Sequence, residues 1–96
     1  MQGLESLTNL KILDVSNNSL KSLSGVQSLV NLTDLWANDN GVEDLDGVEA
    51  VLKPLSETLS TVYLRGNPCS NDSKYKLRML FLLPKLGQLD DSVVER

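Results

Sequence analysis

Leucine and valine fall along this chain in a short pattern that returns three times. In Leu32-Thr33-Asp34-Leu35-Trp36-Ala37-Asn38-Asp39-Asn40 the apolar positions alternate briefly and then stop at a polar turn. Alternation of that kind predicts a short strand and its exit loop. Moving 22 residues back lands on Leu10-Lys11-Ile12-Leu13-Asp14-Val15-Ser16-Asn17-Asn18, and moving 27 forward lands on Leu59-Ser60-Thr61-Val62-Tyr63-Leu64-Arg65-Gly66-Asn67. All three read L-x-x-[LV]-x-[LVA]-x-x-N. Self-similarity at such a spacing predicts stacked units, each burying its apolar edge on the next.

The spacing and consensus predict an α/β fold. The pattern resembles that of leucine-rich repeats, so a right-handed solenoid is expected, with a short parallel sheet on its concave face and a C-terminal helical cap. One domain spans residues 1–96. Residues 1–6 read as the remnant of a preceding repeat, with Gly3-Leu4 matching Gly25-Val26 and Gly47-Val48, so the chain is expected to be a fragment of a longer array. Repeats follow at 7–28 and 29–51, then a last repeat at 52–70 with a convex insertion, then the cap at 71–96. Leu7, Leu10, Leu13, Val15, Leu20, Leu23 and Val26 are expected inside, as are Leu29, Leu32, Leu35, Ala37, Val42, Leu45 and Val48. Alternation sends Ile12, Asp14, Asp34, Trp36 and Asn38 to the opposite face.

Three details of the connections follow. Asn18, Asn40 and Asn67 are expected to turn inward as a structural ladder, their amides pairing with backbone groups in the bends above and below. The insertion should form a helical turn over Ala50–Leu55, limited by Pro54. After Asn67-Pro68, Asn71-Asp72 should start a helix that carries Tyr75, Leu77, Leu80, Phe81 and Leu83 onto the last repeat and ends at Pro84. Leu86, Leu89, Val93 and Val94 then form an irregular strand and tail covering the sheet edge.

Asp14, Trp36 and Tyr63 hold one equivalent position in successive repeats and should make a row across the sheet. Ile12, Asp34 and Thr61 make a second row, and Ser16, Asn38 and Arg65 a third. A tryptophan presented on a protein-binding surface belongs to the residue types that dominate interface energetics. Asp39, Glu43, Asp44 and Asp46 form an acidic turn, read equally well as a solvated loop.

The chain of 96 residues has a net charge of −4 and shows no basic stripe, which argues against nucleic acid or an anionic membrane as the main partner. No apolar run approaches the length of a membrane helix. With no histidine, no Gly-rich phosphate loop and a single cysteine, Cys69, no catalytic constellation assembles and no cofactor or metal is expected. Cys69 reads as an inert thiol. A lone cysteine also favours a reducing compartment, so cytoplasm or nucleus is expected.

The run Asp34-Leu35-Trp36-Ala37-Asn38-Asp39-Asn40 and the close Thr61-Val62-Tyr63-Leu64-Arg65-Gly66-Asn67-Pro68 carry a more particular likeness. With Tyr75, Arg78, Leu83-Pro84-Lys85-Leu86, Leu89-Asp90 and Val93, they resemble the last repeats and cap of the protein phosphatase 1 regulatory subunit 7 family. The resemblance implies a subunit that holds the phosphatase catalytic chain on its concave face through acidic and aromatic residues. Asp14, Asp34, Trp36 and Tyr63 match those positions. Two rivals share the fold: an adaptor of spliceosomal or axonemal type, and a fragment that self-associates through its uncapped N-terminal end.

Overall fold

The computed structural model describes Leu4 and residues 6–95. Among the described residues five strands form one sheet in chain order: β1 (Ile12–Asp14), β2 (Asp34–Trp36), β3 (Thr61–Tyr63), β4 (Gln88–Leu89) and β5 (Ser92–Val93). The first four are parallel and β5 turns back antiparallel on β4. Each of the first three strands is only three residues long because a left-handed turn follows it. Asn17, Asp39 and Gly66 take φ of 58°, 61° and 82° at equivalent positions, and Asn, Asp and Gly are the residues that tolerate this region. Gly66 is doubly constrained, since a Cβ there would strike the Asp39 carboxylate.

The middle residue of β2 and β3, Leu35 and Val62, points into a core that has no solvent exposure at either position. Leu29, Leu32, Leu55, Leu59 and Leu64 fill the same interior. The first rung is looser than the expected pattern. Leu10, Leu13, Val15 and Leu20 are only half-buried, and Leu7 is 44% exposed, so Leu7 is not a core residue. Each repeat buries its apolar edge on two neighbours, and among the described residues the first has one. Gly3 of the expected remnant lies outside the described residues.

The Asn ladder works in one direction. Asn67 donates to the carbonyls of Ala37 (2.8 Å) and Leu64 (2.9 Å) and accepts from the Val42 N–H (3.1 Å). Asn40 repeats this one rung earlier with Val15, Ala37 and the Leu20 N–H. Each amide therefore ties its own turn to the preceding repeat, not to the bends on both sides. Asn18 makes the equivalent bond to the carbonyl three residues back, Val15, and another to Ser16, but it is exposed and among the described residues has no tie to an earlier repeat.

Helices depart most from expectation. The insertion forms α1 (Leu45–Leu52), longer and earlier than the turn expected at 50–55, followed by a 3-10 turn at Lys53–Leu55 that contains Pro54. The buried triad Leu45, Val48 and Leu52 has helical spacing, and Asp46 lies in the positive first turn. In the cap, Pro68–Asn71 is a 3-10 turn, so α2 (Tyr75–Leu82) begins later than Asn71-Asp72 would place it. The Asp72 carboxylate instead takes the Lys74 N–H (2.8 Å) just outside the helix. Only one face of α2 can be buried, and it is the Tyr75–Met79 face. Leu77 and Phe81, expected to pack inward, stand 70% and 92% exposed. The closing strand is regular enough to pair as β4, while Val93 is exposed.

Candidate functional site: the aromatic row on the sheet

Register aligns Ile12, Asp34 and Thr61 as one row, and Asp14, Trp36 and Tyr63 as the next. Since Leu35 and Val62 point inward, Trp36 and Tyr63 must leave the opposite face. Their rings lie flat on one another, with centroids 4.2 Å apart and planes 9° apart. Parallel strands are about 4.8 Å apart, so stacking of neighbouring rungs follows from the register itself. Both rings are half-buried, in contrast to the open exposure the alternation suggested. Tyr63 is steadied from the cap, where the Gln88 side-chain amide donates to its hydroxyl (2.9 Å).

The acidic members are less free than the sequence indicates. The Asp14 carboxylate accepts from the hydroxyl (2.6 Å) and N–H (3.0 Å) of Ser16, and these bonds hold its pKa below the usual carboxylate range. Asp34 accepts from the Thr33 hydroxyl (2.8 Å). At the far end of the face, Arg65 pairs with Asp91, which offsets its charge. A hollow of about 420 Å³ lies between the stacked rings and this ion pair. Among the described residues no cluster of His, Cys, Asp or Glu could hold a metal ion, and no helix is long and apolar enough to cross a membrane.

Two features escape sequence reading. Arg78 bridges α2 to α1 by binding both Glu49 and Asp46, so two acids of the insertion are tied to the cap. Asp90 accepts the N–H groups of Leu64 (2.7 Å) and Arg65 (2.8 Å) and the Tyr75 hydroxyl (2.9 Å), which fixes the cap to the last rung. Neither follows from periodicity, because the partners are 15 to 32 residues apart and lie in different elements.

Cys69 is buried, and its N–H donates to the Val42 carbonyl (2.9 Å). Burial pushes the thiol up to about 11 from an ordinary 9.0. A raised pKa in the folded state stabilises the fold fully below the unfolded value and loses that contribution as pH rises through the interval from 9.0 to about 11. Burial raises the Tyr75 hydroxyl in the same sense. The urea midpoint should therefore fall across that interval. At neutral pH a thiol reagent should label Cys69 only at the rate of unfolding, and prompt labelling of folded protein would contradict the burial.

A family model described as leucine-rich repeats in two copies matches residues 8–50. The chain has the leucine-rich-repeat solenoid fold. It is 31% identical over 95 residues to leucine-rich repeat-containing protein 23 of Xenopus tropicalis, covering 99% of this chain and 27% of that protein. The repeat fold superposes on the Mex67 repeat domain of Chaetomium thermophilum with a TM-score of 0.79 at 19% identity, covering 100% of this chain and 66% of that one. Drosophila melanogaster U2A′, solved as the SNF/U2A′ complex, gives a TM-score of 0.60 at 25% identity, with 100% and 68% covered. These likenesses carry the α/β solenoid. The phosphatase-subunit resemblance rests on the motifs quoted from the sequence.

Proposed function

We propose that this leucine-rich-repeat chain is a protein-binding module that docks its partner on the solvent face of the sheet, around Trp36 and Tyr63. The stacked pair supports this reading most directly. Two large rings occupy a face where they fill no core, and Gln88 holds one of them in place. A rigid aromatic shelf gives contact area at little entropic cost on binding. Asp14 and Asp34 beside it complement basic groups on the partner, setting on-rate and orientation. The resemblance in the Trp36 and Tyr63 motifs makes the catalytic subunit of protein phosphatase 1 the partner of choice, with this chain as regulatory or scaffolding subunit in cytoplasm or nucleus.

Replacing Trp36 with Ala should leave the circular dichroism spectrum unchanged and lower the urea midpoint only by loss of the ring stack, about 1 kcal/mol. Affinity for the catalytic subunit, read by titration calorimetry, should fall by at least about 2 kcal/mol, roughly thirtyfold. Equal affinity of variant and parent would remove Trp36 from the site. The likeness to U2A′, solved with SNF, favours a second reading as an adaptor of spliceosomal type. The same variant tested against the phosphatase subunit and against SNF separates the two.

A further inference from the structure

A second surface shares no lining residue with the aromatic row. Helices α1 and α2 flank an open groove of about 990 Å³. Ala50, Leu77, Phe81 and Leu82 give it an apolar lining, and Phe81, the chain's single phenylalanine, is 92% exposed. Leu77 and Phe81 are four residues apart on α2, one above the other on the same helical face. Exposed apolar groups gathered in a concavity mark a contact site far more often than scattered ones do. The Arg78 bridge to Asp46 and Glu49 joins the two helices and engages both carboxylates that line the groove.

Charge identifies the occupant. Residues 74–85 contain Lys74, Lys76, Arg78 and Lys85 and no Asp or Glu, in a chain whose net charge is −4. The cap helix is therefore a local positive pole. Lys53 and Lys74 both line the groove and enter no ion pair among the described residues. The concave form, with an acidic α1 wall already paired to Arg78, suits an inserted chain segment better than a flat lipid surface. We propose that this groove is a second docking site for an acidic amphipathic segment of a partner protein. Its apolar side chains seat on Leu77 and Phe81, and its carboxylates reach Lys53 and Lys74.

The probe is a peptide of about 15 residues with leucines along one helical face and glutamates elsewhere, titrated into isotope-labelled chain and followed by NMR. A control peptide carries lysine in place of each glutamate. Shifts should centre on Ala50, Lys53, Leu77 and Phe81 and spare Trp36 and Tyr63. Phe81→Ser should weaken binding at least about tenfold, as should Lys53→Glu with Lys74→Glu. Trp36→Ala should bind the probe as the parent does, which separates this site from the sheet face. Both groove variants change solvent-facing side chains, and an unaltered circular dichroism spectrum confirms that each folds. The proposal is overturned by absence of saturable shifts, by equal binding of the lysine peptide, or by shifts on the aromatic row. It also fails if the groove residues mediate phosphatidylserine-vesicle binding in place of peptide binding, or a dimer that Phe81→Ser dissolves.

Discussion

Replacing Asn67 with Ala should destabilise the fold by about 3 kcal/mol, while the same change at Asn18 should cost a few tenths of a kcal/mol at most. Asn67 is 1% exposed, and its loss orphans the Val42 N–H and removes a partner from two carbonyls. Water cannot replace those partners where the site is buried, so the full desolvation penalty is felt. Asn40, at 8% exposure with the same pattern of bonds, should fall between, at about 2 kcal/mol. Among the described residues Asn18 bonds only locally, in the open, where water substitutes for it. Urea unfolding of the three single variants measures the gradient. Three equal losses would mean that the ladder is not built from backward ties, and that the third repeat gains nothing from its central position.

That gradient also shows what a repeat consensus can and cannot carry. The strands, their registry and the outward row of Asp14, Trp36 and Tyr63 are legible because side chains alternate along a strand and strands stack at one spacing. The periodic asparagines are legible as turn residues for the same reason. Their unequal burial is not, because the consensus is identical at each rung and only position in the stack differs. Leu7 illustrates the point: it matches Leu29 in the pattern, yet it is 44% exposed while Leu29 is fully buried.

The cap was legible in outline only. Its sequence Tyr75-Lys76-Leu77-Arg78-Met79-Leu80-Phe81-Leu82 has apolar residues on every face, so no moment selects which side packs. Tertiary contact decides, and it selects Tyr75 and Met79. The residues left outside, Leu77 and Phe81, form the groove. The sheet face and the groove thus have different origins: one follows from the repeat and could be placed from the sequence, the other from where the repeat ends. Mutations that separate the two surfaces, Trp36→Ala and Phe81→Ser, test them independently.

The strongest effect within the cap should come from Asp90. Its carboxylate meets three donors, the Leu64 and Arg65 N–H groups and the Tyr75 hydroxyl, and two of those residues are buried. Asp90 also holds φ at 54°, where a side chain other than Asn or Asp is strained. Asp90→Ala combines unpaired buried donors with that backbone cost and should destabilise by about 3 kcal/mol. Asp90→Asn keeps one acceptor and the tolerated backbone, so it should cost about half as much. Tyr75→Phe removes a single donor and should cost about 1 kcal/mol, but in the Asp90→Ala background it should cost almost nothing, since its partner is already gone. A double-mutant cycle by urea unfolding reads this coupling directly. Additive losses would show that Tyr75 and Asp90 act separately. The ladder asparagines donate and accept, joining rung to rung. Asp90 only accepts, and like them it ties backward, here from the cap to the last rung.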